Sequence, residues 1–152
     1  MAFFVAFVQY GRAAIGYARV VTLKLLLFTA CVACAQPVLT NLDSAKWSHD
    51  KGDPPGSESV MLHQDPATGG MELLVRFSAG HVIAPHSHQS NERILVLEGQ
   101  LTLKQDTGAT VLKTGAYAFL PAREVQRLSC SSATRCTFYL AWDGNPKSIP
   151  AK

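Results

Sequence analysis

Gly80-His-Val-Ile-Ala-Pro-His86-Ser-His88-Gln-Ser-Asn-Glu92-Arg-Ile-Leu-Val-Leu-Glu-Gly99 is the stretch that decides how this 152-residue chain is read. Two histidines stand two apart, a glutamate follows four later, and a glycine closes each end. On a β-strand side chains repeat every two residues, so His86 and His88 point to one face. Two imidazoles and a carboxylate on one face make a donor set for a first-row divalent metal.

The pattern around this stretch is that of short strands. Segments 71–77, 93–98, 101–104, 110–113, 117–120, 125–129 and 137–142 read as strands, with a hairpin turn at Asp106-Thr-Gly108. No window from 71 to 142 carries a long amphipathic helix. Evenly spaced strands with Gly, Asp and Pro turns predict an all-β sandwich or barrel. Residues 36–70 read as a loop-rich lead with turn clusters at Asp53-Pro-Pro-Gly56 and Asp65-Pro-Ala-Thr-Gly-Gly70, and one short strand at 60–62. The barrel is expected over 71–144, and 145–152, with two prolines, reads as a tail.

The length suits one domain. The net charge of +3 comes from Arg12, Arg19 and Lys24; from Gln36 onward eleven basic residues balance eleven acidic ones. No Lys/Arg cluster follows residue 24, which argues against a nucleic-acid partner. The first 35 residues contain no Asp or Glu. Lys24 precedes the apolar run Leu25–Ala35, which is short for a bilayer span and ends in Ala33-Cys-Ala35. Basic start, short apolar run and small-x-small site describe a secretory signal peptide cut before Gln36. The expected location is therefore periplasmic or secreted. A buried core helix, a membrane anchor, or a lipoprotein bearing lipid on Cys31 or Cys34 are the alternatives. A second apolar patch at 1–8 makes the leader long, as a start placed upstream of the true one near Val20 would.

Cys130 and Cys136 are the cysteines left in the mature part. An even pair in an exported protein predicts a disulfide across a hairpin, provided the Cα atoms lie within roughly 7 Å. Two free thiols are the alternative.

Gly80-x5-His86-x-His88-x3-Glu92-x6-Gly99 resembles the first motif of the cupin superfamily at every defining position. Gly115-x5-Pro121-x-Arg123-x2-Gln126 resembles the second motif, Gly-x5-Pro-x-Gly-x2-His-x3-Asn. Gly115 and Pro121 match, while Arg123, Gln126 and Cys130 stand where glycine, histidine and asparagine are usual. The resemblance implies a double-stranded β-helix, or jelly-roll barrel, with a metal in its mouth. Carried over, the ligands are His86, His88, Glu92 and Gln126, the last offering a carbonyl oxygen in place of an imidazole. Iron, manganese and zinc all suit such a site. Gln126 is alternatively a second-layer hydrogen bonder or a substrate contact.

Other residues carry blander expectations. His81 is placed near the rim, and His49 and His63 on the surface. Glu124 shares a face with Gln126 or pairs with Arg123 or Arg127. Tyr117, Phe119, Phe138 and Leu140 are expected to line the barrel or its core, and Trp47 and Trp142 to pack the lead onto it. Ser129, Ser131 and Ser132 lack a nucleophile elbow, and Gly69-Gly70 lacks the Lys-Ser/Thr of a phosphate loop.

Cupins include dioxygenases, isomerases, lyases, storage proteins and sensors, so fold leaves two functions open. One is a metal-dependent enzyme, oxygenase-type, acting on a small molecule. The other is a module that binds a small ligand or metal and catalyses nothing. A homodimer is what the resemblance alone implies.

Overall fold

Phe138 and Ile94, both fully buried, mark the middle of two facing sheets. A computed structural model describes residues 38–51 and 53–151. The expected signal segment at 1–35 and the question of its start lie outside the described residues. The described chain is all-β, with one short 3-10 turn at Leu42–Ser44. Its strands are β1 (Ser57–Gln64), β2 (Met71–Phe77), β3 (His86–His88), β4 (Glu92–Glu98), β5 (Gln100–Gln105), β6 (Gly108–Lys113), β7 (Tyr117–Leu120), β8 (Arg127–Cys130), β9 (Cys136–Trp142) and β10 (Ser148–Pro150).

One antiparallel sheet has the order β1-β2-β9-β4-β7. The other is built from β6-β5-β8 and β10-β3. Bridges at Val82–Ser129 and His86–Gln126 join its two parts. The period of two sorts the side chains. Val75 pairs with Phe138, which pairs with Val96, and all three are buried. From the other sheet Leu101, Leu103, Leu112 and Leu128 meet them in one cluster. Phe77 and Phe138 stack edge to face at 4.9 Å, a favoured aromatic geometry.

The jelly roll expected from the motifs is therefore present, and its strands extend past 71–144 at both ends. Strand β1 runs over eight residues inside the stretch that reads as a loop-rich lead, all of it beside β2. The segment read as a tail contains β10, which pairs with β3 in the register Ser148–His88, Ile149–Ser87 and Pro150–His86.

The register also corrects β7. Tyr117 and Phe119 are 59% and 49% exposed, not barrel-lining. Leu120 pairs with Glu92 and Ala118 with Ile94, which turns Leu120 and Ala118 inward and their neighbours outward. The Arg93 guanidinium covers the Phe119 ring at 5.5 Å. Phe138 and Leu140 are buried in the core as expected. Trp47 packs on the outer face under Arg76, 4.3 Å from the guanidinium, whereas Trp142 faces the barrel interior instead of the lead.

Cys130 and Cys136 form a disulfide with Cα atoms 5.7 Å apart, six residues apart in sequence. It ties the end of β8 to the start of β9. So short a loop removes little chain entropy, so breaking it by Cys130→Ser with Cys136→Ser is expected to cost about 2 kcal/mol. Urea melts of the two proteins measure this, and equal midpoints would mean that packing alone holds the hairpin.

Candidate metal centre

Four side chains from two strands and one loop come together at one end of the interior. His86 and His88 stand at either end of β3, Glu92 opens β4, and Gln126 lies just before β8. The backbones of His86 and Gln126 exchange both hydrogen bonds, at 2.9 and 2.8 Å, which fixes one flank of the group to the other. Arg123 supports the end of β3. It adopts a left-handed φ of 68°, the conformation for which the resembled motif uses glycine, and its N–H donates to the His88 carbonyl at 2.8 Å.

The two imidazoles meet edge to face, with ring centroids 4.9 Å apart. Each is oriented from behind. His86 Nδ1 bonds the Ala84 carbonyl at 2.8 Å, and His88 Nδ1 bonds the Pro146 carbonyl at 2.7 Å. A carbonyl only accepts, so both Nδ1 atoms carry a proton, and in the neutral form of either ring the lone pair is on Nε2. His88 Nε2 lies 3.6 Å from Glu92 Oε2. Burial lowers the His88 pKa, the Pro146 carbonyl opposes that, and His86 adds a smaller lowering. The balance favours the neutral imidazole at His88.

Glu92 is 4% exposed and Gln126 is 3% exposed. Burial pushes the Glu92 carboxyl up to about 7, against the hydrogen bond from Gln126. The Gln126 amide N–H donates to Glu92 Oε2. Gln126 Oε1 is buried and has no partner among the described residues. Among those residues no group of three or more His, Cys, Asp or Glu side chains lies at metal-holding spacing.

The group borders a cavity of about 440 Å³. Leu73, Val75, Phe138, Leu140 and Trp142 give it an apolar wall, with Asp53, Ser57, Ser59 and Ser148 as its other polar side chains. Sequence reasoning missed three participants. Trp142 lies beside His88 with ring centroids 5.1 Å apart. Its place at the inward-facing end of β9 was a usable signal. The Pro146 carbonyl and the Asp53-Pro54 turn carried none.

The remaining expectations resolve simply. His81 is packed on Phe77, centroids 4.4 Å apart, and burial lowers its pKa. It does not line the cavity. His63 is exposed, and His49 is exposed with Nδ1 bonded to the Ser57 carbonyl at 2.8 Å. Glu124 accepts from Gln105 at 3.1 Å instead of pairing with Arg123 or Arg127. A shallower depression of about 510 Å³ lies away from this group, and its Arg76 is paired with Glu58 at 2.6 Å.

Comparison with known proteins agrees with this architecture. The polyketide cyclase RemF from Streptomyces resistomycificus superposes with a TM-score of 0.62 at 20% identity, over 75% of this chain and 84% of that one. An oxalate oxidase gives 0.61 at 17% identity, over 81% and 67%. The Rhodobacter sphaeroides SigE complex with the anti-sigma ChrR gives 0.54 at 17%, over 68% of this chain and 52% of the matched one. At these identities the likeness is one of fold. No curated protein matches the chain. The ChrR Cupin-like domain profile matches residues 35–143, most of the sequence. The chain therefore belongs to the ChrR cupin-like family of the cupin superfamily.

Proposed function

We propose that this protein is an exported cupin that holds one divalent metal through His86, His88 and Glu92, with Gln126 as fourth donor, beside a cavity for a small organic molecule. The observation that carries the reading is the orientation of the two imidazoles. With both Nδ1 atoms bonded to backbone carbonyls, the Nε2 atoms of two neutral rings are left for a metal, in a group that also holds the buried Glu92 carboxyl and a Gln126 amide oxygen with no partner among the described residues. Carbonyl-anchored imidazoles are the usual outer support of histidine ligands. Nitrogen and oxygen donors without thiolate suit iron, manganese or zinc. Such an ion supplies a Lewis acid or an oxygen-binding site. The protein's own part is to orient the donors, to exclude water with Leu73, Leu140 and Trp142, and to admit a mainly apolar molecule. The favoured activity is oxygenase-type. The disulfide supports an oxidising compartment, hence the periplasm or the exterior.

A second reading, sensing without turnover, draws on two observations. The family takes its description from ChrR, an anti-sigma. The Gln126 amide N–H also occupies Glu92 Oε2, the carboxylate oxygen nearest His88. Elemental analysis of the purified protein tests the metal, with about one equivalent expected. Oxygen uptake by iron-loaded protein over a panel of small hydroxy- and keto-compounds separates the readings. Uptake supports the oxygenase, and thermal shifts without uptake support the sensor.

Gln126→His tests the fourth donor. An imidazole in place of the amide also releases Glu92, so zinc and nickel are expected to bind about tenfold tighter in chelator competition. Unchanged affinity would mean that this side chain does not face the metal.

A further inference from the structure

The last strand is an odd piece of the barrel. All three residues of β10 are exposed, and among the described residues it pairs with β3 alone. The chain before it is pinned firmly. Ser90 Oγ lies within hydrogen-bond reach of the Gly144 and Asn145 carbonyls, at 3.2 and 3.0 Å, and the Asn91 amide donates to Asp143 at 2.7 Å. From Pro146 onward the segment lies along β3 and the residues that flank it. Gln89 N–H donates to the Lys147 carbonyl at 3.3 Å and Ala151 N–H to the Pro85 carbonyl at 3.0 Å. These bonds bracket the pairs Ser148–His88, Ile149–Ser87 and Pro150–His86. Hydrogen-bonded pairs alternate in an antiparallel ladder, so Ile149–Ser87 is the bonded pair in the middle. Pro150 falls at a non-bonded position, where its missing N–H costs nothing. Between the pinned part and this ladder sits the Pro146 carbonyl, the partner of His88 Nδ1. Pro146 and Ser148 also form part of the cavity wall.

We propose that β10 is a positioning strap for His88: docking of 146–151 on β3 presents the Pro146 carbonyl to Nδ1, and so turns Nε2 into the site. The inference rests on the metal reading above and adds what regulates that site. When the strap is docked, His88 is held in one tautomer and one ring orientation. When it lifts, the ring loses its anchor and the cavity loses a wall. Metal affinity and strap docking are then two faces of one equilibrium, and linkage makes the coupling reciprocal. Whatever tightens the strap tightens the metal, and the metal protects the strap by the same factor.

Ile149→Pro removes the N–H of the middle pair while changing an exposed side chain. Zinc affinity in chelator competition is expected to fall by roughly ten- to a hundredfold, the usual effect of losing a histidine's outer partner. Ile149→Ala keeps the N–H and is expected to bind like wild type. In the wild-type chain, zinc should slow amide exchange at Ile149 and Ala151 by a comparable factor. A nitrogen-detected NMR spectrum should show His88 losing its single Nδ1–H tautomer in Ile149→Pro and keeping it in Ile149→Ala. Zinc bound tightly with unchanged exchange at 149–151, or equal affinity in both variants, overturns the strap and leaves the metal site standing. No zinc binding by wild type overturns both.

Discussion

Glu92→Gln is expected to make the metal-free protein more stable at pH 8 and incapable of holding the metal. The carboxyl is 4% exposed, and burial raises its pKa from 4.5 to about 7. A raised acid pKa means that the folded state binds the proton more tightly than the unfolded chain. Its contribution is neutral below 4.5, turns unfavourable as pH rises toward 7, and reaches its full cost above 7. That full cost is about 3 kcal/mol at 1.36 kcal/mol per unit of pKa. Glutamine keeps the shape, carries no charge, and its Oε1 accepts the Gln126 amide N–H. At pH 8 the variant should therefore melt roughly 10 °C higher than metal-free wild type, with no gap at pH 4. In the proposed site a divalent cation would do the proton's work at that carboxylate. Adding zinc at pH 8 should raise the wild-type melting temperature and leave Glu92→Gln unmoved. Equal melting temperatures for the two metal-free proteins at pH 8 would mean that the carboxylate is well solvated. A buried carboxylate that destabilises the empty fold is what a site selected for function would retain.

The parts of this architecture legible in the sequence are those governed by a fixed spacing. Strand spacing alone pointed to an all-β sandwich or barrel, while His86, His88, Glu92 and the bounding glycines match the cupin motif, and that resemblance implied the jelly roll. The shared parity of Phe138 and Leu140 on one strand placed both in the barrel or core, where they are buried. Strand β7 shows where spacing runs out. Tyr117-Ala-Phe-Leu120 is apolar at every position, so either parity buries a plausible set. The pairing of Leu120 with Glu92 makes the choice, and pairing is not local information. Strand β10 failed for another reason. Pro146 and Pro150 read as breakers, because a single sequence does not reveal that Pro150 occupies a pair needing no N–H. Gln126 was identified without its orientation. Its amide end turns to Glu92 because a carboxylate accepts and cannot receive a second acceptor, which becomes apparent only when the two strands meet.

Removing both imidazoles, by His86→Ala with His88→Ala, is expected to empty the site. Structural zinc sites with four donors are worth about 10 to 16 kcal/mol, so two donors account for roughly half. Losing that much weakens binding by about four to six orders of magnitude, at 1.4 kcal/mol per tenfold. Metal content after desalting should fall from about one equivalent per chain to background. The fold should survive the change. His86 is half-buried, and its partner is a carbonyl two residues away. His88 leaves the Pro146 carbonyl without a donor, at about 1 kcal/mol, a small fraction of typical domain stability. His63→Ala, at an exposed histidine outside the cavity, is the matched control and should keep its metal. The decisive comparison is metal content against melting temperature. A double variant that stays folded and loses its metal places the ion between β3 and β4. One that stays folded and keeps a full equivalent assigns the metal to other donors, and the carbonyl-anchored imidazoles would then serve the apolar cavity as hydrogen-bond acceptors for an organic ligand.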